Sequence, residues 1–167
     1  MLDLSQLRED IKTEAARLGF NHIGFAPSSP VPHYQDYLAW VEAGFHAEMA
    51  YLARQDTLEK RGDPGLILEG CQSIICLAVS YNKPETTLRA AQPGEGRISS
   101  YARTQDYHEQ IMDMLKQLES FIHSQVGSES QLKSYIDTGP VLERAFASHA
   151  GLGALGKNNC LIFHVKG

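Results

Sequence analysis

The chain has 167 residues, 43% hydrophobic and 21% charged, with fifteen basic against twenty acidic side chains and a net charge of −5. That length suits one domain with a self-sufficient core, and the acidic balance excludes a chain whose bulk charge alone would hold nucleic acid. No apolar run nears the roughly 18 residues of a membrane span, and the acidic start, Met1 to Ser5, lacks the regions of a secretion signal, so the expected compartment is the cytoplasm, with no membrane partner.

Leu4, Leu7, Ile11, Ala15 and Leu18 recur at helical spacing and stop at Gly19, which predicts a first amphipathic helix. His22 to Ala26 reads as a short strand ended by Pro27. Tyr34, Tyr37, Leu38 and Val41 predict a second helix closed by Gly44, and a third short one covers Ala47 to Arg54. Arg61-Gly62-Asp63-Pro64 is a turn, with Asp63 as cap and Pro64 at the first helical position of one more turn. Ser73 to Tyr81 is the strongest strand, apolar at nearly every position and so expected inside a sheet. Residues 82–98, rich in proline and glycine, form a long loop. Asp106 to about Gln125 is the longest helix, with Ile111, Leu115, Leu118 and Ile122 as its buried stripe. A strand over Leu132 to Asp137, a helix opened by Pro140 and running to Ala150, and a strand over Cys160 to Val165 complete the chain. This order predicts an α+β fold, an α/β sandwich on a small mixed central sheet flanked by helices. The last strand runs into the final residues, which suggests a piece of a longer polypeptide.

Cys71, Cys76 and Cys160 are odd in number and fit no disulfide framework. Cys71 and Cys76 flank an apolar run and read as buried, reduced thiols on or beside a strand. No iron–sulfur cysteine string occurs. Gly151, Gly153 and Gly156, with Lys157 and Asn158 after them, imitate two phosphate-binding motifs. Both motifs need a strand before the glycines and a helix after them. Here the expected order is helix, glycines, strand, so Gly151 reads as a left-handed helix cap before a tight turn. His46 and Glu48, as His-x-Glu, lack the further ligands of a zinc site.

Asp137 opens the run Asp137-Thr138-Gly139-Pro140-Val141-Leu142-Glu143-Arg144. Between a strand and a helix it is placed for chemistry, or it caps the following helix. Glu143 and Arg144 read as ordinary first-turn residues, with Arg144 able to reach an anion. In Arg97 to His108, Asp106 is a candidate cap and the tyrosines candidate core.

Together, F-H-A-E-M-A-Y-L (45–52), K-R-G-D-P (60–64), the strand at 73–81, Y-A-R-T-Q-D-Y-H (101–108) and D-T-G-P-V-L-E-R…A-G-L-G-A-L-G-K-N (137–158) resemble the N-terminal domain of epoxyqueuosine reductases over nearly the whole chain. The resemblance implies a nitroreductase-like cobalamin-binding domain over residues 1–167. A ferredoxin-like domain with two four-iron–four-sulfur clusters is expected downstream. It implies a cytosolic oxidoreductase that reduces the epoxide of epoxyqueuosine at the tRNA wobble position to queuosine, fed by an external electron donor, with a monomer favoured. It also places a proton donor at Asp137, kept protonated by burial against the corrin. Arg61, Ser99, Tyr101, Asp137, Arg144, Lys157 and Asn158 fall in segments that line the corrinoid site. Ser100 replaces a usual arginine and Thr104-Gln105 a usual glycine–basic pair. Because the cluster cysteines are missing, the chain by itself is expected to be inactive. The alternatives are a non-catalytic corrinoid-binding module and a domain whose site has decayed.

Overall fold

The computed structural model describes residues 3–80, 92–96, 98–103 and 105–163. Its elements are α1 (Leu4–Leu18), β1 (His22–Pro27), α2 (Tyr34–Glu42), α3 (Gln55–Gly62), β2 (Ser73–Ala78), α4 (Tyr107–Val126), α5 (Glu143–His149), β3 (Gly153–Leu155) and β4 (Leu161–Phe163). Single 3₁₀ turns stand at Ala50–Leu52, Pro64–Leu66 and Ser100–Arg103. The chain divides into two units, Met1–Asn21 with Ala78–Glu129, and His22–Leu77 with Ser130–Gly167.

The first unit is a pair of amphipathic helices. The Asp3 carboxylate accepts the Ser5 and Gln6 amides at 2.9 and 3.2 Å and so satisfies orphan donors at the start of α1. Gly19, at φ +107°, ends the helix in a left-handed cap. Asp106 does the same service for α4, accepting from the His108 amide at 2.9 Å. The helices pack together, burying Ile11 and Ala15 of α1 and Leu115, Leu118 and Ile122 of α4. The 3.6-residue spacing of those side chains is what puts each set on one face.

The second unit has a small core of Ala26, Cys76, Phe146 and Leu152, packed by Ile74, Val141, Leu161, Phe163 and their neighbours. Phe146, at 1% exposure, is its centre, and burying such a ring contributes roughly 2–3 kcal/mol. β1 pairs with β2, and the flanking bonds from Asn21 N–H to Ala78 O and from Ser28 N–H to Gln72 O set them antiparallel. β3 and β4 form a second antiparallel pair with Gly153 opposite Phe163 and Leu155 opposite Leu161. Gly24 lets α5 end tightly on β1, since a Cβ there would lie 2.7 Å from the Ala150 carbonyl oxygen.

The α+β class holds, with several local corrections. Leu132 to Asp137 forms no strand: it runs irregularly into a turn. Pro140 does not open a helix; α5 begins at Glu143, because Val141 is spent against the Phe146 cluster. The helix expected over Ala47–Arg54 reduces to the 3₁₀ turn Ala50–Leu52, after a positive φ of 49° at Ala47. β2 ends at Ala78 and, among the described residues, has β1 as its neighbour, so it is not an interior strand. Most of the loop expected over 82–98 lies outside the described residues, as do Thr104 and Val165. Asp63 does cap the turn at Pro64, accepting from the Gly65 amide at 2.8 Å.

Candidate functional site

The segment Ser130–Leu142 carries the chain irregularly into α5. At its turn, Asp137 has a φ of +57°, and the Thr138 amide donates back to Ile136 O at 2.6 Å. A three-residue turn of this sign is uncommon for a side chain other than glycine, and aspartate is among the residues that tolerate it. Gly139 is required two residues on, because a Cβ there would run into the Tyr135 ring. The turn is held from α5: the Asp137 amide donates to Glu143 Oε1 at 3.1 Å.

Glu143 is the unusual carboxyl. Burial, then the nearby Asp137 charge, pushes it up to about 7, against a smaller downward pull from Arg61. The Cys76 thiol on β2 is pushed up to about 12, first by burial and then by Glu143. Arg61, in the last turn of α3, lies over the Tyr37 ring at 4.9 Å from its centroid. Its Nε is buried without a hydrogen-bond acceptor among the described residues. Tyr37 in turn donates to Leu52 O, and burial raises its hydroxyl above the ordinary value.

Arg144 points the other way, donating from Nη1 to Asn159 O at 2.7 Å. Asn159, at φ +60°, belongs to the turn between β3 and β4, where Gly156 N–H donates to Cys160 O at 2.8 Å. Lys157 and Asn158 are exposed on that turn. Gly151 is left-handed at φ +78° directly after α5. The glycines that follow serve a hairpin: a Cβ on Gly153 would meet the Ile162 backbone.

Of the expected site residues, Arg61, Asp137, Arg144, Lys157 and Asn158 all belong to the second unit. Ser99 and Tyr101 belong to the first, where both are exposed and Tyr101 meets the Tyr107 ring edge-on at 6.2 Å. One reading of Asp137 changes: it is exposed and caps no helix, since the cap of α5 is Leu142. Glu143, expected to be ordinary, is the shielded acid of the site. The one signal for it in the sequence is its six-residue distance from Asp137. His46 lies near Trp40 at 6.4 Å and is not on a helix. Among the described residues no three His, Cys, Asp or Glu side chains gather as a metal site, and no helix is long and apolar enough to cross a membrane.

An α+β domain carrying an acidic turn braced by a shielded glutamate is the class that fold and site define. The family model "Epoxyqueuosine reductase QueG, DUF1730" matches residues 61–138. The epoxyqueuosine reductase of Vibrio cholerae is 32% identical over 163 residues, 96% of this chain and 43% of that protein. That of Gloeobacter violaceus is 38% identical over 154 residues, 91% of this chain and 46% of that protein. A solved epoxyqueuosine reductase with an epoxyqueuosine-modified tRNA-Tyr stem loop superposes with a TM-score of 0.79 at 26% identity, covering 95% of this chain and 42% of that one. The Bacillus subtilis enzyme, solved with its aspartate catalytic loop swung out of the active site, gives 0.76 at 27% identity, covering 95% of this chain and 41% of that one. The chain is related to the epoxyqueuosine reductases along nearly its whole length, as its motifs imply, and spans under half the length of the relatives it matches. A reductase moves electrons, so a redox cofactor goes with the family.

Proposed function

We propose that residues 1–167 form the cobalamin-binding domain of an epoxyqueuosine reductase, which reduces the epoxide of epoxyqueuosine in tRNA to queuosine. The observation that carries this reading is Asp137, presented to solvent on a turn that Glu143 braces. The donor set fits a corrinoid. Arg61 has a buried Nε without an acceptor among the described residues. Lys157 and Asn158 are exposed on the hairpin turn, where cation and amide suit a nucleotide-loop phosphate and propionamide side chains. Arg144 adds a cation beside the same turn.

Bound there, cobalamin supplies low-potential electrons for opening the strained ring. Asp137 delivers a proton to the epoxide oxygen as its bond to carbon breaks, so the oxygen does not depart as a bare anion; the full reduction takes two electrons and two protons and releases that oxygen as water. Lys157 would hold the nucleotide-loop phosphate, and Arg61 would donate to propionamide oxygens. The three cysteines, at 71, 76 and 160, do not make a four-thiolate set. This reading therefore places the two four-iron–four-sulfur clusters, fed by an external donor, outside these 167 residues. It also makes the protein a cytoplasmic monomer with tRNA as its substrate.

The test uses protein expressed from the complete reading frame. Asp137→Asn should keep the visible spectrum of bound cobalamin and lose about 10²–10⁴-fold in single-turnover queuosine formation. Retention of more than about a tenth of the native rate overturns the proton-donor role, being smaller than the loss of a general acid brings.

A further inference from the structure

α2 carries two tyrosines three residues apart, and so on one face, and both meet the C-terminal half of α3. The Tyr34 hydroxyl donates to Leu58 O at 2.9 Å, and its ring fills the space that a Cβ on Gly62 would need, 2.5 Å from that Cβ. Tyr37 lies under Arg61, with the guanidinium carbon 4.9 Å from the ring centroid. The Tyr37 ring is itself fixed. Its hydroxyl donates to Leu52 O at the end of a 3₁₀ turn, and the Trp40 ring lies 6.2 Å away, 19° from parallel. Arg61 is thus held from α2 twice: through the Tyr34 ring on its neighbour Gly62 and through the Tyr37 ring on its own side chain.

A cation in the last turn of a helix has no need of an aromatic face, because the helix dipole and water already favour it there. Arg61 instead is half-buried, with Nε shut away from water and without an acceptor among the described residues. A buried donor without a partner is unfavourable, and a cation over an aromatic face offsets part of that. What results is direction. The guanidinium is planar, and against a fixed ring it loses much of the freedom of a solvated side chain. With Nε turned inward, the outer nitrogens of the fork are left to meet a ligand.

We propose that Tyr37 is the positioning residue of Arg61: its ring sets the plane in which the guanidinium donates to the propionamide oxygens of the corrinoid, an inference that rests on the assignment of Arg61 to the cofactor site. A donor oriented before the ligand arrives has less freedom to lose on binding, so the ring contributes to affinity without touching the ligand. Leucine at position 37 would fill part of the space and leave the guanidinium free to turn. Phenylalanine would keep the face under Arg61 and give up only the bond to Leu52 O.

The test is a double-mutant cycle on protein from the complete reading frame, produced free of cobalamin and titrated with hydroxocobalamin. Arg61→Gln should weaken binding about tenfold, as the loss of a charged donor does. Tyr37→Leu should weaken it about fivefold, within the range of a cation–π contact, and less than about twofold where Arg61 is already replaced by glutamine and nothing is left to position. Equal losses in the two backgrounds overturn the proposal. Tyr37→Phe should lose less than about twofold, because the cation–π face remains, and a loss as large as that of Arg61→Gln overturns it too. A second readout needs no cofactor. The Arg61 Nε–H resonance, shifted by the Tyr37 ring in the free protein, should move in Tyr37→Leu and stay in place in Tyr37→Phe. A resonance that ignores the loss of the ring, or moves as far with phenylalanine, overturns the positioning role. If Arg61→Gln leaves cobalamin affinity unchanged while the resonance behaves as expected, the pairing stands but the cofactor assignment of Arg61 fails, and the proposal is overturned with it.

Discussion

Glu143→Gln should change how the stability of the protein depends on pH. Glu143 titrates near 4.5 when solvated and near 7 in the fold. Well below 4.5 both folded and unfolded chains hold the proton, and the group leaves stability untouched. Between the two values the unfolded chain releases the proton and the folded one keeps it, so stability falls as pH rises and levels off above about 7. At about 1.4 kcal/mol per pH unit the whole step would be about 3.5 kcal/mol, and water at the half-buried carboxyl trims it toward about 2 kcal/mol. Against a total of about 5–15 kcal/mol for a domain, that is readily measured. Glutamine fills the same space, accepts the same backbone bond and has no proton to lose. Urea unfolding of both proteins at about pH 5 and about pH 8 should show the variant gaining about 2 kcal/mol on the native protein at the higher pH. If the two proteins keep a constant difference across that range, Glu143 is not a shielded acid, and the burial argument is wrong.

Gly153→Ala should destabilise the protein by about 1–3 kcal/mol, seen as a lower Tm, because the new methyl meets rigid backbone at Ile162 rather than a movable side chain. An unchanged Tm would mean that the β3–β4 pairing is looser than the register implies. Cys160 should be alkylated quickly and Cys76 only on unfolding, since the first is exposed while the second is buried with its thiol pushed up to about 12. Mass spectrometry of the two peptides over time checks this, and equal rates would refute it.

What the sequence discloses here depends on the range of the interaction. α1 and α4 are legible because spacing and caps are local: Asp3, Gly19 and Asp106 end their helices through bonds to residues within a few positions. The hairpin after Gly151 is partly legible for the same reason, although β3 itself, three residues inside the glycine run, is too short for periodicity to find. Leu132 to Ile136 has strand composition but no ladder, because composition measures fit to a pleated surface and not the presence of a partner strand. Asp137 is visible through its motif. Its environment is not, because that depends on Glu143, whose own character is set by burial in the fold, by Asp137 itself and, less strongly, by Arg61 from a distant part of the chain. An acid in a first helical turn looks the same in sequence whether it meets water or a thiol.

Glu143 and Arg144 are consecutive, and on a helix consecutive residues leave the axis about 100° apart. One reaches the Asp137 turn, and the other donates to Asn159 at the hairpin turn. The opening of α5 therefore works as an angular gauge: the phase at which the helix starts sets the bearings of both turns at once. A single residue added between Pro140 and Glu143 could be absorbed in the loop and leave both bearings intact. One residue added between Glu143 and Arg144 would turn the arginine away from Asn159 while Glu143 stayed in place. The spacing between the acid turn and the hairpin turn is thus set by winding, and a change of helical phase would alter it even if every contacting side chain were kept.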